Sequence, residues 1–580
     1  MTWLWQRAWG EATAFLRRSR GISLADLVVL AALGGIAFAV GRVAGGWTGE
    51  LRPVVEIDTS PWALPGYTLL SLSRGLAAYV LSLLFTLVYG YWAAKDHRAE
   101  RVLIPLLDVL QSVPVLAFMP ALLLALVALF PRSNVGLELA SILMIFTGQA
   151  WNMTFSFYRS VRSVPADQLE VARVYRFTWT ERFRWVELPF SVIGLVWNSM
   201  MSMAGGWFFL MITEAFVLGD KDFRLPGLGS YMSVAVARGD VGAMAWAVLA
   251  MTIMIVALDQ LLWRPVVVWS QKFRLEEGGQ TEAAESWFLE LLRRSRILAA
   301  SGALAARLGA ALRRRASAPR PEAPARTEPA AVQRVLSALL LAGLVLLLVL
   351  GALQLVALLR VVPARSWGLT AGAALLTLGR VLVATALGTL WALPAGLAIG
   401  LSPRLSRALQ PVVQVVASFP APMLFPAALA VMARLGMGLG AGSVVLMLLG
   451  TQWYILFNVV AGAMAVPADL REAARSYRIR GLALFRQLLF PAVLPYLVTG
   501  WVTAAGGAWN ASIVSEYVTF RGQGLSTFGL GSQISAAAEK ADFPLLAGSV
   551  VVMSAMVVLF NRLVWRPLND LAEHRYSLLR

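Results

Sequence analysis

Long apolar stretches separated by short polar segments run along the whole chain. Residues 102–130, 335–359 and 546–560 are nearly uncharged, and each is long enough to cross or nearly cross a bilayer, which takes roughly 20 residues of α-helix. The pattern predicts about twelve spans, six in each half, at residues 22–44, 66–94, 102–130, 138–158, 188–216, 241–263, 335–360, 371–400, 411–434, 442–462, 491–515 and 546–565. We therefore expect an all-α, polytopic membrane protein.

The composition of the chain agrees with this class. Of its 580 residues, 58% are hydrophobic and 14% are charged, and the mean hydropathy is +0.69, whereas a soluble domain carries about 25% charged residues. The chain has no cysteine and only two histidines, His97 and His574. These counts exclude a disulfide framework and a thiolate metal site. They also disfavour a membrane-embedded enzyme, which would need His, Asp or Ser groups clustered at one depth.

The net charge of +18 comes largely from arginines that lie between the apolar spans. Cytoplasmic loops are rich in arginine and lysine under the positive-inside rule, so this placement indicates membrane topology and no nucleic-acid partner. The loops at 95–101 and 159–187 fall on the same side as the arginine-rich N-terminus if the spans alternate. No small-residue cleavage site follows that N-terminus. We expect a retained first span, a cytoplasmic N-terminus, and a location in the bacterial inner membrane, surrounded by lipid.

The two halves of the chain are copies of one another. An offset of 302 residues relates Gly148 to Gly450, and upstream an offset of 306 relates Pro114 to Pro420. The 302-residue offset also pairs short segments: 164–167 with 466–469, 227–230 with 529–532, and 263–265 with 565–567. Duplicated modules of the same topology are expected to pack around a pseudo-two-fold axis along the membrane normal.

The duplication and the charge pattern predict the domain organisation. The expected parts are an N-terminal tail with the first span and an external loop (1–65), a first module (66–274), a basic cytoplasmic linker (275–334), the first span of the second half (335–367) and a second module (368–580). Within the linker, residues 284–312 have the pattern of a basic amphipathic helix for the anionic inner leaflet, or of a solvated tether. The Pro/Ala/Arg tract near 317–329 has the composition of a flexible linker.

The longer cytoplasmic loop of each half carries the same motif. It reads Glu170-Val171-Ala172-Arg173 in the first half and Glu472-Ala473-Ala474-Arg475 in the second, and a proline follows each glutamate after nineteen residues, at Pro189 and Pro491. The motif resembles the EAA loop of binding-protein-dependent ABC importer permeases. The Ser-x-Pro of each third span and the E…G-L-G segments resemble the nitrate/taurine/sulfonate, anion-type branch and its duplicated, fused permeases.

This resemblance implies two tandem six-span modules of the type I ABC importer permease fold. In that family the loop forms a short coupling helix that seats in a groove of the ATP-hydrolysing subunit. The residues to which the resemblance assigns this coupling are Glu170, Ala172, Arg173, Arg176, Glu472, Ala473, Ala474, Arg475 and Arg478. Two departures leave the turn geometry open: the family's glycine position holds Arg176 and Arg478, and Val171 replaces an alanine.

The resemblance also implies the partners. They are a dimer of ATP-binding subunits, which would hold ATP and Mg²⁺, and a periplasmic or lipid-anchored substrate-binding protein. A phosphate-binding P-loop needs a Gly-Lys pair, and the chain contains none. We therefore expect a translocation subunit without a catalytic site, cofactor or metal of its own.

Polar groups inside apolar spans usually face the interior of a helix bundle, and they supply the pathway candidates. These are Arg74, Arg380, Asp108, Gln414, Ser112, Ser418, Gln149, Thr451, Asn152, Tyr454, Glu214 and Glu516, together with the mid-span Trp207 and Trp509. The two arginines would attract an anionic cargo along the pathway, or snorkel to the outer headgroups. The two glutamates would gate the external mouth, or hydrogen-bond to the Gly-rich segments that follow. The tryptophans would narrow the pathway, or reflect tight packing beside glycines.

The sequence leaves the identity of the transported substrate open. The resemblance favours a small anion such as nitrate, bicarbonate, a sulfonate or taurine. An importer for an amino acid or another cation-bearing solute is an alternative. A secondary transporter is also built from repeated halves, but it gives no reason for duplicated E-A-A-R loops.

Overall fold

The computed structural model describes residues 25–30, 35, 56–218, 221–273, 286–295, 297–298, 300, 303, 330–520 and 523–576. Helices dominate this part of the chain. In the first half they are α1 (Leu64–Lys95), α2 (His97–Ser112), α3 (Met119–Leu129), α4 (Val135–Arg162), α5 (Ala166–Val174), α6 (Trp179–Arg182), α7 (Leu188–Glu214), α8 (Leu228–Arg238), α9 (Val241–Leu258) and α10 (Arg264–Ser270), and α11 (Trp287–Arg293) follows.

The second half repeats this order behind one additional described span. Its helices are α12 (Ala330–Leu359), α13 (Ala364–Leu401), α14 (Pro403–Ser418), α15 (Phe425–Arg434), α16 (Leu439–Met464), α17 (Ala468–Ser476), α18 (Gly481–Leu484), α19 (Phe490–Ser515), α20 (Leu530–Glu539), α21 (Phe543–Phe560) and α22 (Arg566–Tyr576). Two antiparallel hairpins complete the described chain: β1 (Val217–Leu218) with β2 (Lys221–Asp222), and β3 (Tyr517–Phe520) with β4 (Gln523–Ser526).

Eight helical runs among the described residues are long and apolar enough to cross a membrane, and each overlaps a predicted span. They are Pro61–Lys95, Trp179–Glu214, Val241–Phe273, Val335–Leu359, Ala364–Leu401, Leu439–Met464, Gly481–Ser515 and Phe543–Arg575. The predicted span 138–158 lies inside the 28-residue helix α4, which has Glu138 in its first turn and Arg159 in its last. Of the predicted span 22–44, only residues 25–30 and 35 are described, and they are helical.

Both predicted third spans are broken helices. α2 ends at Ser112 and α14 ends at Ser418, and a single 3-10 turn separates each from the next helix. Pro114 and Pro420 lie two residues past these ends. A proline has no backbone N–H, but at this position no helical hydrogen bond needs one. In the second half the two pieces meet at 85°. Each predicted third span is therefore interrupted at the proline of its Ser-x-Pro segment.

Four π-helical turns occur within the described helices, and they pair by the same 302-residue offset. They are Phe183–Glu187 with Phe485–Leu489, and Asp259–Trp263 with Asn561–Trp565. Each ends two residues before a proline, whose ring collides with the carbonyl four residues earlier in a regular helix. Widening the helix by one residue relieves that collision. Pro189 and Pro491 therefore mark the start of an apolar span, while the helix itself begins earlier, at Trp179 and Gly481.

The chain divides into two compact units. The first comprises Met1–Gly46, Val164–Trp197 and Ala257–Leu347, and the second comprises Trp47–Ser163, Asn198–Val256 and Leu348–Arg580. In the first unit the buried carboxylate of Asp26 accepts hydrogen bonds from Ser295 Oγ at 2.9 Å and from Ile297 N at 3.1 Å. Of the amphipathic helix predicted at 284–312, only residues 286–295, 297–298, 300 and 303 are described, and they include α11.

The second unit owes its tight packing to small residues on facing helices. In α13 a Cβ at Gly396 would lie 2.6 Å from Val459 of α16, so only glycine lets these backbones approach so closely. The core around this contact includes Ala392, Ile455, Val459, Val493 and Leu497. Because α13, α16 and α19 are fixed to one another here, polar groups elsewhere on them occupy defined positions.

Candidate functional site

The two predicted coupling segments form matching helices, α5 and α17, which we call the E-A-A helices. Each has nine residues and follows a proline. Glu170 and Glu472 are exposed, and neither makes an ion pair or hydrogen bond with the described residues. Ala172 and Ala474, in contrast, are buried. Each helix thus buries the alanine two residues after its glutamate and exposes the glutamate itself.

Both E-A-A helices end in the same backbone turn. Phe177 N donates to Ala172 O at 2.9 Å, and Ile479 N donates to Ala474 O at 2.8 Å. This bond to the carbonyl five residues earlier defines a Schellman cap, which places a left-handed residue just past the helix. Arg176 and Arg478 hold that position with φ of 50° and 56°. The turn that glycine adopts readily is therefore formed here by arginine.

Replacing Arg176 and Arg478 together by glycine is expected to stabilise the protein. The left-handed conformation costs an L-residue roughly 1–2 kcal/mol, offset in part by the greater freedom of glycine in the unfolded chain, so we expect a gain of about 1 kcal/mol per site. Replacement of both by alanine removes the charges but keeps the Cβ and its strain. Thermal unfolding of the purified protein in detergent compares the two variants, and equal midpoints for them would contradict the strain.

A buried ionic cluster joins three helices of the first half. Arg74 on α1 donates from Nε and Nη2 to Glu138 on α4, at 2.6 and 2.7 Å, and from Nη1 to Glu214, at 2.7 Å. Ser71 Oγ donates to the same Glu214 carboxylate at 2.7 Å. All four side chains are buried. The bidentate pairing fixes the guanidinium plane, and one arginine faces two carboxylates.

The second half carries a reduced form of this cluster. Arg380 Nη1 donates to Glu516 Oε1 at 2.7 Å, and Thr377 Oγ1 donates to the same oxygen at 2.9 Å. Gly440 stands where the 302-residue offset places Glu138. Arg380 Nη2 donates instead to Thr527 Oγ1 at 3.1 Å. The second cluster therefore pairs one arginine with one carboxylate.

Both glutamates also hold the G-L-G segments that follow the fifth spans. Glu214 Oε2 accepts a hydrogen bond from Gly229 N at 2.8 Å, and Glu516 Oε2 accepts one from Gly531 N at 2.9 Å. A Cβ at Gly227 would overlap the Glu214 carboxylate. Glycine is therefore required here for close approach, and the acidic group satisfies donors at the start of α8 and α20.

A cavity of about 250 Å³ lies between the two halves, with all of its lining residues in the second compact unit. Aspartate, glutamate, lysine, arginine and histidine are absent from its described lining. Its polar surface comes from neutral groups, which include Gln111, Thr147, Trp151, Asn152, Ser202, Thr451, Tyr454, Thr503 and Asn510. The cavity is thus polar but carries no formal charge.

A hydrogen bond to the backbone of the broken third span links the two halves beside this cavity. Val115 N, in the broken third span of the first half, donates to Asn510 Oδ1 of α19 at 2.8 Å. The bond caps a backbone donor that the break would leave unpaired. Phe208 is the equivalent of Asn510 by the 302-residue offset, so its side chain has no oxygen for the reciprocal bond. The halves are therefore joined asymmetrically.

The structure distributes the predicted pathway residues unevenly. Asn152, Thr451 and Tyr454 line the cavity. Arg74, Arg380, Glu214 and Glu516 lie in the buried clusters and do not line it, and the same holds for Gln149, Ser418, Asp108, Gln414, Trp207 and Trp509. Trp207 packs against Gly75. Its ring lies 2.7 Å from the position that a Cβ would occupy at this glycine. The side chain of Ser112 lies outside the described residues.

Several cavity residues were not predicted from the sequence. Gln111, Thr147, Ser202, Thr503 and Asn510 are neutral polar residues within predicted spans, and such residues commonly bond to their own helix. A difference between the two copies could have indicated some of these residues, since Ser202 aligns with Ala504 and Asn510 aligns with Phe208.

These features define a duplicated, multi-pass helical membrane protein whose halves enclose a polar cavity and each present an E-A-A helix. The chain matches the family described as "Binding-protein-dependent transport system inner membrane component" twice, over residues 86–262 and 388–565. It belongs to that family. The predicted family and the tandem permease fold are confirmed.

Curated relatives include several anion permeases. The chain is 28% identical over 143 residues to the nitrate import permease protein NrtB of Leptolyngbya laminosa, covering 25% of this chain and 50% of that protein. It is 30% identical over 145 residues to the bicarbonate transport system permease protein CmpB of a Synechocystis strain, covering 25% and 50%. It is 28% identical over 149 residues to the putative aliphatic sulfonates transport permease protein SsuC of Bacillus subtilis, covering 26% and 51%. The chain spans about half the length of these relatives.

Proposed function

We propose that this chain is the membrane-spanning permease subunit of an ATP-driven importer for a small anion, such as nitrate, bicarbonate, a sulfonate or taurine. The observation that carries the proposal is the pair of E-A-A helices. Each is anchored by a buried alanine and exposes a glutamate that makes no ion pair within the described chain. An exposed, capped, charged helix is suited to transmit force to a second protein.

The proposed partner on the E-A-A side is a dimer of ATP-binding subunits, with one subunit seated on each helix. ATP and Mg²⁺ would be bound by that dimer. A periplasmic or lipid-anchored substrate-binding protein would dock on the opposite face and deliver the anion. This arrangement requires an inner-membrane location with the N-terminus and both E-A-A helices in the cytoplasm.

The proposed transport cycle uses the cavity between the halves. ATP binding would draw the E-A-A helices together and open the cavity outward, and hydrolysis would reset it. In the first half the buried ionic cluster ties α1 to the G-L-G segment. In the second half it ties α13 to the corresponding G-L-G segment. The helices that each cluster joins are therefore expected to move together around the cavity.

Uptake of labelled anions tests this function. Host cells with and without the gene are given nitrate, bicarbonate, taurine or an alkanesulfonate under energised conditions. We expect the deletion to lose uptake of one of these anions and the wild-type gene to restore it. Unchanged uptake of all four anions, with loss of an amino acid instead, would overturn the anion assignment and leave the family standing.

A further inference from the structure

We infer that the cavity holds a binding subsite for a partly dehydrated oxyanion, formed by the neutral donors of Trp151 and Ser202 from the first half and Tyr454 from the second. The inference rests on the proposed transport of an anion and assigns the residues that would contact it. It concerns side chains of one compact unit only.

Two of these donors are buried without a partner. Ser202 is 3% exposed, and among the described residues its Oγ has no hydrogen-bond partner. The Nε1 of Trp151, which can only donate, is likewise buried and unpartnered within the described chain. A buried polar group without a partner is destabilising, because it has lost its hydrogen bonds to water. Both residues line the cavity, but the two donor atoms themselves have almost no accessible surface, so a ligand can supply the missing acceptor only when these side chains turn towards it.

Tyr454 brings a hydroxyl from the second half to the same place. Its Oη lies 3.7 Å from the position that a Cβ would occupy at Gly205. Gly205 is three residues beyond Ser202 on α7, so the two positions are neighbours on one helix face. The tyrosine hydroxyl therefore reaches the turn of helix that carries the unpartnered serine.

The second half does not reproduce this set of donors. Trp453, the equivalent of Trp151, donates its Nε1 hydrogen to Leu449 O at 3.1 Å. Ala504 stands where the first half has Ser202. Thr503, which also lines the cavity, donates its hydroxyl to Thr499 O at 2.9 Å. The second half's counterparts of Trp151 and Ser202 therefore offer the cavity no free donor.

The chemistry of these donors selects the ligand class. An indole N–H and two hydroxyls offer hydrogen atoms to acceptor-rich oxygens, as in nitrate, bicarbonate or a sulfonate. The described cavity lining holds no carboxylate for a cation and no basic group that would bind an anion permanently. A pathway needs binding strong enough for entry and weak enough for release. Neutral donors meet both requirements.

The test uses the complete transporter, with its ATP-binding subunits and binding protein, in proteoliposomes. The variant Ser202→Ala with Tyr454→Phe removes two hydroxyls and adds no volume. Because hydrogen bonds to a charged group are among the stronger ones in proteins, we expect the maximum rate of anion uptake to fall roughly tenfold or more. Half-saturation should stay unchanged, because the binding protein sets it.

Matched variants separate the subsite from general damage. Trp453→Phe and Ser554→Ala remove donors that already bond to Leu449 O and Val550 O, and both should keep the wild-type rate. Ser202→Ala should unfold no earlier than wild type, since it removes an unpaired buried hydroxyl. An unchanged maximum rate in the Ser202/Tyr454 variant would overturn the subsite alone. A wild-type transporter that moves none of the four anions would overturn the proposed function and the subsite with it.

Discussion

Replacing Arg74 by alanine is expected to lower the free energy of unfolding by about 3–5 kcal/mol, because it breaks a buried ion pair by removing one partner. The guanidinium is buried and bridges Glu138 and Glu214. Without it, two carboxylates would share a buried site without a compensating charge. Thermal unfolding in detergent and the monodisperse fraction on gel filtration both report this loss.

The second half supplies a matched comparison. Arg380→Ala leaves a single carboxylate, Glu516, which keeps its hydrogen bonds from Thr377 and Gly531. Its effect should be smaller than that of Arg74→Ala. Arg74→Lys should rescue poorly, because an ammonium cannot reproduce the bidentate contact with Glu138. Equal losses for Arg74→Ala and Arg380→Ala would show that the second carboxylate in the first cluster is unimportant.

The double variant Glu170→Arg with Glu472→Arg is expected to abolish transport while the fold stays intact. Both glutamates are exposed and make no ion pair or hydrogen bond within the described residues, so charge reversal breaks no contact described within the chain. At a desolvated protein interface, a reversed charge costs several kcal/mol. We expect the ATP-binding subunits to be lost on co-purification and uptake to fall to the level of the deletion.

The control for this variant is a charge reversal elsewhere. Glu56 is also exposed, and Glu56→Arg should retain both the ATP-binding subunits and uptake. An E-A-A double variant that transports normally would contradict ATP coupling through these helices and would favour a secondary transporter. Normal association of the subunits without transport would instead place the effect after docking.

Prediction from the sequence succeeded where the physics is local or set by the membrane. Span lengths follow from the thickness of the hydrocarbon layer, and they located the eight described spanning helices. Prolines stop helices through their own ring and missing N–H, and Pro114 and Pro420 lie at the breaks in the third spans. The E-A-A segments were found because two copies hold the same register.

Local substitutions concealed other features. Arg176 and Arg478 occupy the left-handed position of a Schellman cap, which sequence preference assigns to glycine. Their side chains therefore left the turn geometry open, and only the backbone hydrogen bonds to Ala172 and Ala474 revealed it. The π turns before the four prolines were also invisible in composition, because they change only the hydrogen-bond spacing.

The sequence by itself determined that this protein spans a membrane, that it is duplicated, and that each half carries an E-A-A helix, because hydrophobic length and repeat register are properties of the linear chain. Tertiary structure alone decided which polar groups meet. Arg74 contacts partners 64 and 140 residues away, so its role in a buried cluster depended on how three helices pack. The uncharged cavity and its unpartnered donors arise in the same way, since a neutral serine or tryptophan shows its missing partner only once its neighbours are in place.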